Sequence, residues 1–289
     1  MRGGWRARKL RDEIVTGIRL ANAKRRVAGF PVVRSKRPHG LDRELIVSVT
    51  SYPPRFGTLA LTLRSLLDQT VSADRTILWV SARDGSQLPN EVTELAGRGL
   101  EIRECEDWRS YKKLVPALLA FPNANIVTAD DDLYFGSRWL EILIDESRSS
   151  PISVVSHRAH LALRDQTGAF LPYLQWETET KQTADRSPFE PLFPTTGAGT
   201  LFPPNAMDRR VTDPDLFTRL CPHADDIWFF WMARLAGTPQ RRTKGRSTLL
   251  AWKGSQEVGL FHENFWGGRN DRQIKALQNY FGILPLRAE

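Results

Sequence analysis

The sequence has very few cysteines, only Cys105 and Cys221 in 289 residues, and they lie far apart in the chain. Two distant cysteines do not make the framework of a disulfide-stabilised secreted domain, and they are too few for a thiolate metal site. Such cysteine usage is typical of a reducing compartment. We therefore expect a cytoplasmic protein.

Long apolar segments are also missing. No window of the sequence approaches the roughly 18 uncharged apolar residues that a membrane-spanning helix needs. The arginine-rich first residues are not followed by the apolar core of a signal peptide. We expect no membrane span, so any membrane contact would be peripheral, on the inner face of the cell membrane.

Excess charge is confined to one end of the chain. The formal net charge is +8, yet residues 1–40 hold twelve Lys or Arg and two Asp or Glu, which is +10, so residues 41–289 carry −2. This distribution excludes a uniformly basic, nucleic-acid-binding body, and nucleic acid is not an expected partner. The chain divides into a basic N-terminal extension, residues 1–40, and a single domain, residues 41–289.

The extension contains a short amphipathic pattern. Leu10, Ile14 and Ile18 recur at helical spacing, with Val15 and Ala21 beside them and arginines on the flanks. Such a helix can lie in the headgroup plane of an anionic membrane. It can equally dock on the body through its apolar stripe, and the sequence favours neither alternative.

Short β-branched runs alternate with helical patterns from residue 44 onward, which indicates a parallel sheet with helices on both faces. The pattern predicts strands at 45–50, 76–80, 100–102, 124–129, 152–156 and 247–252. It predicts helices at 59–67, 91–97, 111–120, 224–235 and 271–281. Residues 158–195 form a long irregular stretch, which is uncommon unless functional. Ligands of such folds bind at the carboxyl ends of the strands.

Three consecutive carboxylates, Asp130, Asp131 and Asp132, come directly after the predicted strand at 124–129. Like charges this close repel one another unless a cation or hydrogen-bond donors offset them. Their oxygen atoms favour Mg²⁺ or Mn²⁺, bound through one or two carboxylates together with substrate phosphates. Lys112 and Lys113 open a predicted helix just before that strand and are candidates for contact with a diphosphate.

Several blocks of the sequence resemble GT-A fold glycosyltransferases, and specifically the family-2-like enzymes of bacterial cell-surface polysaccharide assembly. In chain order the blocks are residues 49–55, 110–118, 128–132, 196–204, 224–228 and 270–271. The resemblance covers residues 44–282 and implies a Rossmann-like, mixed and mainly parallel sheet with flanking helices. It also implies a donor half at about residues 41–135 and an acceptor half at about residues 136–289.

The resemblance implies a nucleotide diphosphate-sugar donor, with a UDP-sugar favoured, held on a divalent cation by the Asp-x-Asp motif. Asp132 would be the direct metal ligand and Asp130 a second or water-mediated ligand, while Asp131 would reach the ribose. His262 would be an additional metal ligand, because GT-A enzymes often use a histidine near the C-terminus in this way.

The same resemblance places the nucleoside against the loop after the first strand. Thr50, Tyr52 and Arg55 would contact nucleobase and ribose, and Lys112 or Lys113 would contact the diphosphate. The chemistry of the reaction agrees with a lysine at the diphosphate, because cleavage of the sugar–phosphate bond builds negative charge on the leaving diphosphate. A metal ion and lysines stabilise that charge.

A second acidic pair, Asp225 and Asp226, opens a tryptophan-rich predicted helix. Carboxylates at a helix N-terminus can be simple caps. In inverting enzymes of the resembled family the matching pair carries the general base, which implies Asp226 as the base and Asp225 as its neighbour in contact with the acceptor. Retaining GT-A enzymes also carry acidic residues here, so both stereochemical outcomes stay open.

Four further residues are candidates for contact with the acceptor. Gly197 and Gly199 precede an apolar strand, where glycine permits close approach of a ligand or simply forms the turn into the strand. Trp176 and Trp228 fall in or beside the predicted acceptor regions, where an aromatic face can pack on a sugar ring. Most tryptophans are core residues, however.

The sequence predicts a metal-dependent glycosyltransferase with a glycan or lipid-linked acceptor, and residues 1–40 are candidates for peripheral contact with an anionic membrane. A nucleotidyltransferase would need a glycine-rich basic loop after the first strand, which residues 52–55 do not provide. A non-catalytic protein that binds lipid or nucleic acid through its basic arm is disfavoured by the two acidic motifs. His157 and His160 have the spacing of metal ligands, but structural or acceptor-contact roles are favoured.

Overall fold

The computed structural model describes residues 2–185, 187–245, 247–255 and 268–284. The strands are Arg37–Pro38 (β1), Leu45–Thr50 (β2), Val71–Ser72 (β3), Arg75–Ser81 (β4), Leu100–Cys105 (β5), Asn125–Ala129 (β6), Leu133–Phe135 (β7), Val154–Ser156 (β8), Ala159–Leu161 (β9), Leu192–Pro194 (β10), Thr200–Phe202 (β11), Gln240–Arg242 (β12) and Leu249–Ala251 (β13). The α-helices are Arg2–Ala28 (α1), Phe56–Leu67 (α2), Ala82–Gly85 (α3), Asn90–Thr93 (α4), Val115–Ala120 (α5), Trp139–Ser149 (α6), Pro214–Leu220 (α7), Asp225–Leu235 (α8) and Arg269–Phe281 (α9).

In the described part of the chain, seven strands form the central sheet in the order β12-β8-β11-β6-β2-β4-β5. Strands β6, β2, β4 and β5 run parallel to one another, and β12 is parallel to β8. Strand β11 runs antiparallel to both β6 and β8. The predicted mixed, mainly parallel sheet is therefore confirmed, together with its predicted strands at 45–50, 76–80, 100–102 and 124–129.

Successive residues of β2 pack on opposite faces of the sheet. Leu45, Val47 and Val49 join the core built with α2 and α6, whereas Ile46 joins a larger aromatic core that includes α8. Because both faces are covered, four of the six residues of the strand are apolar and five are buried. Burial on both sides fixes the residues that follow β2 and β6 at the carboxyl edge of the sheet.

The helix predicted at 111–120 is wrong in detail, because two short elements take its place. A 3-10 turn, Arg109–Lys113, comes first and α5 follows it. Leu114, between them, has φ −129° and ψ −47°, which interrupts the helical path. Lys112 and Lys113, which are adjacent in this turn, have different partners.

Two further parts of residues 136–289 differ from the sequence prediction. Residues 158–195 are not wholly irregular, since β9 and β10 both lie within this stretch and pair with each other. The prediction also omits α6, although Trp139, Leu143 and Ile144 have helical spacing and are buried. A short buried helix between two loops gives a weaker periodic signal than a long surface helix.

Helix α1 is much longer than predicted and meets the body through a different face. Leu20, Ala23 and Val27 pack near Tyr134 and Trp252. The apolar stripe found in the sequence stays outside this contact, because Ile14 is 54% exposed and Ile18 is 57% exposed. Docking through that stripe is therefore wrong. No helix among the described residues is long and apolar enough to cross a membrane.

Candidate active site

The loop after β2 holds two carboxylates of the Asp triplet. Ser51 donates a hydrogen bond from Oγ to Oδ2 of Asp131 at 2.5 Å. Arg55 forms an ion pair with Asp132, and its Nη1 lies 3.6 Å from Oδ1 of Asp131. Strands β2 and β6 are parallel neighbours, so their carboxyl ends bring these residues together. The predicted donor residue Arg55 thus lies against the Asp triplet.

Lys113 joins the two acidic motifs that the sequence separates by more than ninety positions. Its Nζ lies 2.7 Å from Oδ1 of Asp130 and 3.1 Å from Oδ2 of Asp225. The lysine side chain is only 7% exposed. A buried ammonium between carboxylates reduces their mutual repulsion and holds both motifs at one place.

A second connection runs through the backbone at the loop before β11. The amide of Thr196 donates to Oδ1 of Asp226 at 3.0 Å, and the hydroxyl of Thr196 donates to the same oxygen. The next residue, Gly197, accepts through its carbonyl the hydrogen bond from the amide of Asp130, at 3.1 Å. Two adjacent residues of one loop therefore bind the carboxylate of Asp226 and the backbone of Asp130, one residue from each acidic motif.

Burial raises the pKa of Asp226 to about 6, and the neighbouring charge of Asp225 adds to this increase. Lys113 and the Thr196 hydroxyl act in the opposite direction but only partly offset it. Burial also raises the pKa of Asp131 to about 6. A carboxylate with a pKa near neutrality can accept a proton at physiological pH and release it again, as a general base must.

The other carboxylates of the Asp triplet differ from each other. Burial tends to raise the pKa of Asp130, but the charge and hydrogen bond of Lys113 more than offset it, so the pKa lies below its ordinary value. Burial, followed by the charge of Asp130, raises the pKa of Asp132 although Arg55 opposes the change. Asp130 therefore stays ionised to a lower pH than Asp132 does.

The two predicted glycines leave room for other side chains. A Cβ on Gly197 would lie 1.8 Å from Oδ2 of Asp130, so the absence of a side chain lets that carboxylate lie directly over the loop. A Cβ on Gly199 would lie 2.3 Å from the indole nitrogen of Trp139, and Gly199 has φ +112°. Trp139 in turn donates from Nε1 to the carbonyl of Ala198 at 2.9 Å.

Replacing Gly199 by alanine is expected to lower the free energy of unfolding by about 1–3 kcal/mol, because the new methyl group overpacks a buried indole at a backbone conformation that favours glycine. Urea denaturation measures the change. Gly57→Ala is the matched control, since a Cβ there meets nothing within 4 Å inside α2. The control should be neutral or slightly stabilising, and equal losses in both variants would contradict the packing explanation.

Three predicted donor residues make no contact with the Asp triplet. Lys112 is 3% exposed, and its Nζ lies 2.8 Å from Asp107 and 3.9 Å from Asp84. Thr50 donates from Oγ1 to the carbonyl of Trp79 at 2.8 Å. Tyr52 is 40% exposed beside Arg55. Of the two lysines, only Lys113 contacts the Asp triplet.

The predicted acceptor tryptophans are core residues in this structure. Trp228 is 0% exposed and donates to the carbonyl of Val211 at 3.0 Å, while Trp176 is 5% exposed and donates to Leu171 at 3.0 Å. Neither ring offers a face to a sugar here. The predicted metal ligand His262 lies outside the described residues.

His157 and His160 occupy structural positions. Nε2 of His157 lies 2.9 Å from the carbonyl of Trp139. His160 accepts the amide hydrogen bond of Glu179 at 2.9 Å and stacks on Phe193. Burial lowers the pKa of both histidines to about 4, so both are neutral at physiological pH.

Three residues without an assigned role in the sequence analysis also belong to the site. Ser51 and Thr196 bind Asp131 and Asp226 as described above, and the positive charge of Arg158 lowers the pKa of Asp130. Arg158 donates from Nε to Thr195 at 2.8 Å. Ser51 and Thr196 lie inside the matching sequence blocks, so those blocks were the available signal. Arg158 lies outside them, in the stretch predicted to be irregular.

Asp130 and Asp132 fit a metal site whose remaining ligands come from the phosphates of a substrate. No three His, Cys, Asp or Glu side chains of the described ranges are arranged to hold a metal by themselves. Mg²⁺ commonly needs only one or two carboxylates beside substrate phosphates. Asp130, with a side chain 40% exposed, and Asp132 supply such oxygen atoms. Because Arg55 already binds Asp132, a metal ion would compete with the guanidinium for that carboxylate.

Comparison with solved structures identifies the fold. TarS residues 1–349 from S. aureus in complex with UDP are 15% identical to this chain, with a TM-score of 0.51, and the match covers 82% of this chain and 66% of that one. The fold is GT-A-like. A second structure of S. aureus TarS 1–349 is 12% identical to this chain, with a TM-score of 0.45, and the match covers 72% of this chain and 60% of that one. The chain thus covers less than two thirds of either structure. No family model matches the sequence, and no curated protein matches it.

Proposed function

We propose that the protein is a glycosyltransferase that moves a sugar from a nucleotide diphosphate donor, with a UDP-sugar favoured, to a glycan or lipid-linked acceptor in the cytoplasm. One observation carries the proposal: Lys113 and the Thr196–Gly197 loop unite the Asp triplet with Asp225 and Asp226. The UDP complex of the structural neighbour supports the donor class.

The donor would bind at the carboxyl ends of β2 and β6. Asp130 and Asp132 would hold a Mg²⁺ or Mn²⁺ ion, which supplies positive charge against the leaving diphosphate when it is bound. Asp131 would face the ribose, and Arg55, once displaced from Asp132, is placed to pair with a phosphate. The exposed ring of Tyr52, beside Arg55, offers an aromatic surface to the nucleoside.

Asp226 is the proposed general base. Its carboxylate would take the proton of an acceptor hydroxyl while the acceptor oxygen forms a bond to the anomeric carbon of the sugar. The bond from that carbon to the diphosphate oxygen breaks, and its electron pair leaves with the nucleoside diphosphate. Direct displacement of this kind inverts the anomeric configuration.

The orientation of Asp226 supports this role. Both hydrogen bonds from Thr196 converge on Oδ1, and Oδ2 accepts none from the part of the chain that the structure describes. One carboxylate oxygen is thus fixed while the other can face a substrate. Asp225 pairs with Lys113 instead, so the two neighbouring carboxylates have different tasks.

Calorimetric binding of UDP, GDP, dTDP, CDP and ADP, each with Mn²⁺ and with chelator, tests the donor site. We expect one nucleotide to bind only with the metal, and Asp132→Asn to weaken that binding by about 10- to 100-fold or more. Asp145→Asn is the matched control, because that carboxylate is 57% exposed in α6, away from the site. Unchanged binding by Asp132→Asn would remove Asp132 from the metal site, and binding of no nucleotide would contradict the donor proposal.

A further inference from the structure

Helix α1 presents an apolar stripe that the body does not cover. Ile14 and Ile18 are more than half exposed, and Val15 is 37% exposed. At 3.6 residues per turn, Ile14 lies about 180° around the helix axis from Ala23, the centre of the docked face. The docked face and the stripe therefore point in opposite directions.

Basic side chains flank this stripe. Arg11 and Arg25 each lie seven residues from Ile18, two turns away, and therefore on the same side of the helix. Both are exposed, as are Arg19 and Lys24. Residues 1–28 hold nine Lys or Arg and two Asp or Glu, a net charge of +7. The stripe is thus apolar along its centre and positive at its edges.

A cavity of about 470 Å³ opens beside the same helix, between α1 and the body. Arg19, Arg25 and Arg26 line it together with Tyr134. Arg26 lies 3.4 Å from Asp68, which holds that guanidinium against the body. Arg19 and Arg25 are exposed members of this lining, so an anionic group in solvent can reach them.

We propose that α1 binds the surface of an anionic lipid bilayer, with Ile14, Val15 and Ile18 at the level of the acyl chains and the flanking arginines against headgroup phosphates. Charge complementarity favours this occupant. A second copy of the chain is disfavoured, because two helices of +7 would repel each other. The docked half of the helix, Leu20 to Val27, would then hold the body beside the membrane.

Flotation of the full chain with vesicles tests the proposal without reference to catalysis. Vesicles of phosphatidylglycerol with phosphatidylcholine are compared with vesicles of phosphatidylcholine alone. We expect binding to the anionic vesicles, weakened by high salt. Ile14→Asp with Ile18→Asp should lower the partition coefficient by at least about tenfold, because two apolar anchors are lost and two negative charges are added.

The matched control is Ile152→Asp with Ile283→Asp. These two isoleucines are 71% and 51% exposed on the body, so the control makes the same chemical change away from α1. It should retain most of the vesicle binding. Three outcomes would overturn the proposal: equal loss in both variants, equal binding to neutral vesicles, or self-association of the free protein that the Ile14/Ile18 variant abolishes. All four substitutions are at exposed positions, so circular dichroism should show unchanged folding.

Discussion

Replacing Asp226 by asparagine is expected to lower the rate of sugar transfer by about 10²- to 10⁴-fold, the usual contribution of a general base. Asparagine keeps the size of the side chain and can still accept the hydrogen bonds of Thr196 through its amide oxygen. Nucleotide binding should therefore remain. Turnover by a radiolabelled donor assay and binding by calorimetry measure the two effects separately, and near-normal turnover would refute the role of base.

The wild-type rate should fall as the pH drops through about 6. The pKa of Asp226 is raised to about 6, so below that pH the carboxylate carries a proton and cannot take one from the acceptor. Asp131 has a pKa in the same range. The Asp131→Asn variant separates the two groups: an acid limb that survives in its pH–rate profile belongs to Asp226, and an acid limb that disappears belongs to Asp131.

Replacing Lys113 by methionine should have the largest effect on stability, a loss of about 3–5 kcal/mol of unfolding free energy, because it leaves Asp130 and Asp225 without their buried cation. Chemical denaturation near neutral pH measures the loss. The variant should also lose transfer activity, since the carboxylates that the lysine holds together would separate. Unchanged stability and activity would show that Lys113 does not connect the two motifs.

Lys112→Met is the matched control for this experiment. Lys112 is equally buried, but its partner Asp107 is 62% exposed and can be solvated without the lysine, so the loss should be clearly smaller. The pH dependence gives a second check. Lys113 lowers the pKa of Asp130, so that pKa should be higher in the folded variant than in the folded wild type. The folded variant therefore binds more protons as the pH falls, and its deficit in unfolding free energy relative to wild type should narrow toward acid pH.

Much of the sheet could be predicted from the sequence, because local composition decides it. Strands β2, β4 and β6 are apolar, β-branched runs buried on both faces, and their alternation with helices leaves few alternatives to a parallel sheet. The Asp triplet follows β6 directly, so its place at the carboxyl edge was predictable from the sequence. The acidic pair at the start of α8 was identified as a partner only through the resemblance.

Features that depend on tertiary contacts could not be predicted in the same way. Lys112 and Lys113 are adjacent in sequence, and the way in which the 3-10 turn that carries them packs on the sheet determines which one reaches Asp130. Trp176 and Trp228 were suggested by sequence position, but aromatic packing places both in the core. The sequence shows the apolar stripe of α1. Whether the face with Ile18 or the face with Ala23 docks depends on the shape of the body, which the sequence does not show.

The antiparallel strand β11 also affects how the protein is made. In the described sheet, β8 and β12 reach the rest of the strands only through β11, which pairs with β6 from much earlier in the chain. During synthesis the parallel strands β2, β4, β5 and β6 leave the ribosome first, and β6 then has an unpaired, apolar edge. Such an edge can pair with other chains. Late arrival of β11 therefore exposes newly made protein to aggregation, even if the completed fold is stable.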